Sequence, residues 1–242
     1  MDREHIERLL AINRRFYAGL ARPFSASRTL YDPALTCVLP YLPAGAEILD
    51  IGCGNGRLAL LLDRERPGVV YVGVDFIPEL VELARAQTRR LTSISASFRV
   101  ADITLPGWNL ILSPASFDRV LLLAVLHHLP GFTTRARVLH ESAAMLKPGG
   151  CLILSTWQFL DAPRMRRKIV DWSTEGIRQE ELEPGDYLLA WRRGGYGVRY
   201  CHLVDQVELE RLAAESGLRI RETFRAGGRE GNLSLFAIME RA

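Results

Sequence analysis

One stretch decides the fold: Ile48-Leu49-Asp50-Ile51-Gly52-Cys53-Gly54-Asn55-Gly56. Its first half is apolar and typical of a β-strand, its second half has a glycine at every other position, and helical spacing follows from Arg57 to Arg64. Glycine lets a backbone turn sharply and approach a ligand with no Cβ in the way. In open α/β sheets, ligands bind at the carboxyl ends of strands, beside such turns. The stretch therefore predicts an α/β fold with a ligand site at this turn.

Strands and helices alternate along the chain beyond this turn. Strands are predicted at Glu47–Ile51, Val69–Val74, Ser97–Ala101, Phe117–Ala124 and Cys151–Thr156. Helices are predicted at Arg57–Arg64, Pro78–Arg90 and Thr134–Leu146. Alternation of this kind predicts parallel strands with right-handed crossovers and helices on both faces of the sheet. A helix at Asp205–Gly217 and two strands, near Arg219–Phe224 and Leu233–Glu240, follow as an antiparallel hairpin that completes a mostly parallel, seven-stranded Rossmann-like sheet.

Two segments lie outside this alternation. The N-terminal segment, residues 1–45, is predicted to be helical, with one helix at Glu4–Ala21 and a second at Tyr31–Leu42. The second segment, at about 158–203, shows no clear sheet element, and we interpret it as an insertion that caps the carboxyl edge of the sheet. The whole chain, 1–242, is predicted to be a single domain.

Composition is that of an ordinary globular protein, with 48% hydrophobic and 24% charged residues and a net charge of +3. Lys147 and Lys168 are the only lysines among 31 basic residues, which fits either a biased codon usage or an arginine surface for phosphates. The four cysteines have neither the density of a disulfide framework nor the spacing of a zinc site, so no metal site is predicted. The N-terminus lacks an apolar signal core, and we expect a cytoplasmic protein without membrane association.

Acidic residues follow the predicted strands at two places that complement the glycine turn. Asp75 ends the second strand, where a carboxylate can accept hydrogen bonds from both hydroxyls of a ribose; the alternative is a role in starting the next helix. Asp102 follows the third strand and could contact an adenine amine, or could be an ordinary turn residue. A dinucleotide site is disfavoured, because the third glycine of the Gly-x-Gly-x-x-Gly pattern is replaced by Arg57.

The pattern Asp-x-Gly-x-Gly-x-Gly resembles the S-adenosylmethionine-binding motif of class I methyltransferases. This resemblance implies that S-adenosylmethionine is the cofactor and that S-adenosylhomocysteine is the product. The cofactor-binding residues it implies are Asp50, Gly52, Cys53, Gly54, Asn55, Gly56, Asp75, Phe76, Asp102, Ile103 and Ala124.

Further segments resemble the tRNA wobble-uridine carboxymethyl methyltransferases, including the methyltransferase half of their AlkB-like fusion relatives. These segments are Phe16–Arg28, Asp50–Gly56, Ala124–Leu129, Gly185–Trp191 and Arg199–Leu203. Two landmarks of that family are altered. Its Tyr-x-Pro-Trp appears, after two extra residues, as Tyr31-Asp32-Pro33-Ala34 without the tryptophan, and its closing Asp-Asn-Trp reads Gly231-Asn232-Leu233.

The resemblance implies an acceptor carboxylate on a modified uridine, which is already ionised at neutral pH and needs no general base. An arginine can hold such a carboxylate with two parallel hydrogen bonds. By resemblance the arginine is Arg28, with Arg199 and His202 beside it, although Arg28 could also be a surface residue between helices. One of the adjacent histidines after the fourth strand is expected at the site, and we assign His127.

The sequence also bears on the binding partners and on alternative functions. Basic and aromatic residues alternate from Trp157 to Tyr200, which suits either RNA or a solvated cap, and the resemblance favours tRNA. It also implies a small zinc-containing activator protein at a sheet edge, near Ser97–Val100. The same core serves metabolite, quinone and lipid substrates, so a small-molecule methyltransferase is the alternative. A non-catalytic scaffold is disfavoured by the intact turn and Asp75.

Overall fold

A computed structural model describes every residue from Met1 to Ala242, and its centre is a seven-stranded sheet. The strands are β1 (Glu47–Ile51), β2 (Val70–Asp75), β3 (Ser95–Val100), β4 (Phe117–Leu123), β5 (Leu146–Trp157), β9 (Leu218–Ala226) and β10 (Ser234–Arg241). Their order is β3-β2-β1-β4-β5-β10-β9. The first five are parallel, whereas β10 is antiparallel to both β5 and β9. The predicted sheet is confirmed, and the switch in strand order lies between β1 and β4.

Helices cover both faces of this sheet. They are α1 (Arg3–Ala26), α2 (Pro33–Thr36), α3 (Arg57–Glu65), α4 (Pro78–Gln87), α5 (Phe132–Ala143), α6 (Pro163–Arg166) and α7 (Gln206–Glu215). The longer helices begin at sequence signals: Asp2 and Asp205 cap α1 and α7 by accepting backbone N–H bonds, and Pro78 opens α4. No helix is long and apolar enough to cross a membrane.

Two apolar clusters fill the space between the sheet and its helices. On one face, Val138 of α5 and Leu212 of α7 pack with Val120 and Leu154 of the sheet. On the other face, Leu61 of α3 and Val81 of α4 pack with Ile48 and its neighbours. Burial on both faces explains why the central strands are almost continuously apolar.

A second sheet of three antiparallel strands lies in the inserted segment, so the prediction that this segment has no sheet was wrong. Its strands are β6 (Ile169–Val170), β7 (Asp186–Trp191) and β8 (Gly197–His202), in that order. β6 has only two residues, and β7 and β8 are buried at almost every position. Because neither face is solvated, the alternation that identifies a strand is absent from the sequence.

Other element boundaries differ from the predictions for local reasons. The predicted helix Tyr31–Leu42 is two short pieces, α2 and a 3-10 turn at Leu39–Tyr41, because Pro40 cannot donate the hydrogen bond that a continuous helix needs. Strand β5 begins at Leu146, and its pairing with β4 is interrupted before it resumes at Cys151. Helix α1 extends to Ala26 across a kink at Leu20.

Candidate active site

A cavity of about 530 Å³ opens at the carboxyl ends of β1, β2 and β4, where the switch in strand order predicts a ligand site. Every predicted cofactor-binding residue lines it except Gly56. Of the four predicted catalytic residues, only Arg28 lines it. The cofactor predictions thus converge on one place, whereas most of the catalytic ones do not.

The three glycines of the turn have different surroundings. Gly54 has φ +56°, and a Cβ built on it would meet nothing within 4 Å, so its bare backbone faces open space. A Cβ on Gly52 would lie 2.3 Å from Cγ2 of Val125, so that glycine permits close packing against the segment after β4. Gly56 is also at positive φ, and a Cβ on it would lie 2.9 Å from Cβ of Ala84 in α4 and 3.2 Å from Cε1 of Phe98 in β3. Gly56 is therefore a packing residue and does not line the cavity, contrary to its prediction.

Asp75 and Asp50 are buried carboxylates on either side of this turn. Asp75 accepts hydrogen bonds from the backbone N–H groups of Gly54 (2.9 Å) and Ile77 (3.0 Å), which leave one lone pair on each oxygen for a ligand. Asp50 accepts a 2.5 Å hydrogen bond from the Tyr71 hydroxyl. Burial raises the pKa of each carboxyl to about 6, so both are ionised at neutral pH.

Asp102 lines the cavity after β3 and is held from two sides. Its Oδ1 accepts hydrogen bonds from the backbone N–H and hydroxyl of Thr104, at 2.9 and 2.5 Å. Its Oδ2 forms a 3.0 Å ion pair with Arg14 of α1. The carboxylate is fixed in orientation but retains acceptor capacity toward the cavity. Ile103 beside it supplies a buried apolar wall.

The remaining residues predicted to bind the cofactor also form part of the cavity wall. Ala124 has φ +59°, and Ser155 holds it there by accepting the Ala124 N–H through both its carbonyl and its hydroxyl oxygen. A non-glycine residue in this region is strained, which is common at ligand sites. Asn55 donates a 2.8 Å hydrogen bond to the Ser25 hydroxyl, which ties the turn to α1. Cys53 and Phe76 add apolar surface.

Arg28 is a cavity cation without a carboxylate partner. Its guanidinium lies 4.1 Å from the centre of the Phe24 ring, and it makes no ion pair within the chain. Burial, and then the neighbouring Arg57, lowers its pKa to about 10, so the group remains charged at neutral pH. An acceptor with a negative charge would find its counter-ion here.

Of the two adjacent histidines, His128 lies at the cavity, whereas the prediction had placed His127 there. His128 lines the cavity, with Nδ1 3.0 Å from the Tyr200 carbonyl oxygen and Nε2 3.0 Å from the Tyr17 hydroxyl. The carbonyl can only accept, so Nδ1 carries the proton and Nε2 accepts from Tyr17. Burial and the charge of Arg199 lower the pKa of His128 to about 3, and its ring is neutral. His127 is fully buried, does not line the cavity and therefore leaves the set of candidate catalytic residues.

Arg199 and His202, both on β8, are buried outside the cavity wall. The Arg199 guanidinium lies 4.9 to 5.3 Å from the ring centres of three aromatic residues, namely Phe16, Trp157 and Trp191. His202 has no free ring nitrogen, because Nδ1 contacts Asp186 at 2.6 Å and Nε2 contacts Glu208 at 2.7 Å. The structure therefore gives His202 a structural role in place of the predicted catalytic one.

Several cavity residues were missed by the sequence predictions: Arg14, Tyr17, Arg164, Arg193 and His128. Arg14 and Tyr17 come from α1, Arg164 and Arg193 from the inserted segment, and His128 from the turn after β4. Tyr17 lies in the Phe16–Arg28 segment of family resemblance, the two cap arginines belong to the basic insertion, and His128 is one of the adjacent histidines, whereas Arg14 had no such signal.

Comparison with known proteins shows the family to which the chain belongs. Residues 25–223 match the family model described as a methyltransferase domain. A protein of Encephalitozoon cuniculi named as a methyltransferase is 31% identical over 94% of both chains. The tRNA (carboxymethyluridine(34)-5-O)-methyltransferase of Arabidopsis thaliana is 30% identical over 59% of this chain and 32% of its own length. A ubiquinone biosynthesis O-methyltransferase of Xanthomonas axonopodis is 36% identical over 47% of this chain and 44% of its own. The chain thus spans less than half the length of the last two relatives.

Solved structures agree as well. A S-adenosylmethionine-dependent methyltransferase of Methanosarcina mazei superimposes with a TM-score of 0.65 at 26% identity, covering 84% of this chain and 95% of that one. A methyltransferase of Haloferax volcanii, in complex with the Trm112 methyltransferase activator, has a TM-score of 0.65 at 18% identity, covering 95% and 97% of the two chains, and shows a shared fold. The open backbone at Gly54 and the spare acceptors of Asp75 fit the cofactor. The chain belongs to the class I S-adenosylmethionine-dependent methyltransferases.

Proposed function

We propose that this methyltransferase esterifies the carboxylate of a carboxymethyl-type group on a modified wobble uridine in tRNA. The observation that carries the proposal is Arg28, a charged guanidinium in the cavity wall that forms no ion pair within the chain, while the nearby Asp32 is paired with Arg57. A substrate carboxylate fits this position because the planar guanidinium can donate two parallel hydrogen bonds to it.

The chemistry of the cavity suits an acceptor that is already ionised. When bound, S-adenosylmethionine supplies a methyl group on a sulfonium, which a carboxylate oxygen takes while the electrons of the broken S–C bond stay on sulfur and no proton moves. His128 is neutral with both ring nitrogens engaged, and burial raises the pKa of Tyr17. Neither group is suited to deprotonate an acceptor at neutral pH. The work left to the chain is positioning and exclusion of water.

A second candidate is methyl transfer to a small phenolic or quinol acceptor. It is favoured by the 36% identity with the ubiquinone biosynthesis O-methyltransferase over about half of this chain. A phenol must lose a proton during the transfer, and its reaction would need a base. Labelled methyl transfer to total tRNA, compared with transfer to a metabolite pool, separates the two candidates.

Replacement of Arg28 tests the carboxylate assignment. We expect Arg28→Gln to keep the affinity for S-adenosylhomocysteine and to lower turnover on tRNA by about 100-fold, which corresponds to the loss of a charge-assisted hydrogen bond. A matched control is Arg22→Gln, which removes an exposed cation of the preceding helix α1 outside the cavity. Unchanged turnover in Arg28→Gln would remove Arg28 from the active site.

We also propose that a small zinc-containing activator protein pairs with the free edge of β3. The backbone N–H groups of Ser95 and Ala101 point to β2, so by alternation that of Val100 points outward. Val100, Leu105, Leu110 and Ile111 leave large apolar side chains exposed around this edge. Val100→Pro removes the outward N–H and should prevent co-purification of the activator, whereas Val100→Thr, which keeps the N–H, should not. Binding of the activator to Val100→Pro at wild-type affinity would exclude this edge.

A further inference from the structure

A second cavity, of about 360 Å³, lies beside the first in the inserted segment. Five cations line it: Arg164, Arg167, Lys168, Arg192 and Arg193. The other lining residues are Val170, Ala190 and Trp191, so no acidic residue contributes to it. Arg164 and Arg193 line both cavities, so the two cavities are adjacent at these side chains.

None of these five cations forms an ion pair or a side-chain hydrogen bond within the chain. Arginines elsewhere commonly do: Arg135 binds Glu183 and Glu208, and Arg225 binds Asp161. The effect of the uncompensated charge is visible at Lys168, whose pKa is lowered to about 8 by burial and by Arg199, Arg164, Arg193 and Arg28. Such a cluster of like charges is a site for an anion that the chain itself does not provide.

The cations are held in place by the fold. The turn between β7 and β8 carries Arg192 and Arg193, and it packs closely on α1, since a Cβ on Gly194 would lie 2.9 Å from Pro23. The indole N–H of Trp191 donates to the Arg193 carbonyl at 2.9 Å. On the other wall, the Lys168 carbonyl accepts the Ala190 N–H at 2.7 Å. A site whose backbone is fixed before binding loses less entropy when the ligand arrives.

We propose that the second cavity binds a phosphate group of the acceptor, namely a backbone phosphate next to the nucleotide that enters the first cavity. This inference rests on the proposed function, because it takes the acceptor to be an RNA whose chain extends from the first cavity into the second. The volume lies at the small end of ligand pockets, which range over about 300–1,000 Å³. The guanidinium groups provide the planar donors that bind phosphate oxygens in pairs. The stack of Arg192 on the exposed Tyr196 ring, at 5.2 Å, provides an aromatic surface beside the phosphate.

The test compares variants that differ only in whether the lost charge lines the cavity. Arg167→Gln and Arg192→Gln, combined, remove two exposed cations that line the second cavity and not the first. The control, Arg166→Gln combined with Arg89→Gln, removes two exposed arginines that line neither. Binding of a short single-stranded oligoribonucleotide to the full chain loaded with S-adenosylhomocysteine is measured over a range of salt, with inorganic pyrophosphate as a competitor.

We expect the cavity variant to bind the oligoribonucleotide at least tenfold more weakly and to lower the log–log salt slope by about 0.7 per lost phosphate contact. The control should keep the wild-type slope, and pyrophosphate should displace RNA from wild type and from the control but not from the cavity variant. Equal RNA binding by wild type and the cavity variant would overturn the phosphate site while leaving the tRNA proposal standing. Pyrophosphate binding that depends on Arg167 and Arg192, with no RNA binding by wild type, would support the phosphate site but assign it to a small phosphorylated acceptor. Failure of both probes to bind would overturn the site.

Discussion

The backbone N–H of Gly54 donates to Oδ2 of Asp75 at 2.9 Å, so the glycine turn after β1 and the acid at the end of β2 are parts of one structure. This bond orients the carboxylate, and Ile77 restrains its other oxygen at 3.0 Å. We therefore propose that the turn and the acid form a preformed surface for the cofactor, and we expect a change in either to lower the affinity for the cofactor.

Gly54→Ala tests the open backbone of the turn. The new methyl group enters the cavity, so we expect the affinity for S-adenosylhomocysteine to fall by at least tenfold in calorimetric titration. Gly45→Ala is the matched control, because Gly45 also has positive φ and open space around its Cβ but does not line the cavity. Both variants should lose about 1–2 kcal/mol of stability from left-handed strain. Equal cofactor affinities in the two variants would contradict the assignment of Gly54.

Asp75→Asn tests the carboxylate. It keeps the side-chain shape and removes the charge, and each charge-assisted hydrogen bond is worth about 1.5–3 kcal/mol. We therefore expect the affinity for S-adenosylhomocysteine to fall by roughly 100-fold or more. Asp161→Asn, at an exposed site outside the cavity, is the control. An undiminished calorimetric affinity would refute the role of Asp75.

His202→Gln tests the structural role of His202 at the end of β8. Hydrogen bonds to Asp186 and Glu208 raise the pKa of His202 above its ordinary 6.5 despite its burial. A raised pKa in the folded state gives stability that is fully present below 6.5 and is lost as the pH rises through the folded-state pKa.

We therefore expect the difference in unfolding free energy between wild type and His202→Gln to be about 3 kcal/mol in mildly acidic buffer and smaller in alkaline buffer. Denaturant titrations over this range measure it. Cofactor affinity should not change, since His202 does not line the cavity. A stability difference that grows with pH would contradict this account of His202.

Lys168 should make anion binding depend on pH. Its pKa of about 8 reflects burial and four facing cations, Arg199, Arg164, Arg193 and Arg28, with no facing carboxylate. A bound phosphate would raise that pKa, so binding is coupled to proton uptake as the pH rises through 8. We expect the affinity for an oligoadenylate, which does not titrate in this range, to fall above that pH. Lys168→Arg, which stays charged, should abolish the decline, and an identical decline in this variant would exclude Lys168 as its origin.

The cavity residues that lie in or beside the glycine motif could be predicted from sequence. Those that the fold brings together from distant elements could not. The turn from Asp50 to Gly56 and Asp75 follow predicted strands, and the strand order brings them to one edge. Gly56 was assigned to the cofactor because it shares the spacing, but only the structure shows its contacts with Ala84 and Phe98.

The cap was the least predictable part, since its strands are short and buried on both faces. His127 and His128 are adjacent, and nothing in the sequence says which one points to the cavity. The choice is made by Tyr17 and Tyr200, which come from distant elements and engage the His128 ring. His202 was placed at the site because it lies in the family-like segment Arg199–Leu203, and its carboxylate partners Asp186 and Glu208 were not visible in that pattern.

The most direct test of the proposed reaction is nucleoside mass spectrometry of tRNA incubated with the enzyme, its activator and S-adenosylmethionine bearing a labelled methyl group. We expect the label on a carboxymethyl-type uridine, as an ester that mild base removes. Label that resists mild base, or that appears only on small metabolites, would contradict it.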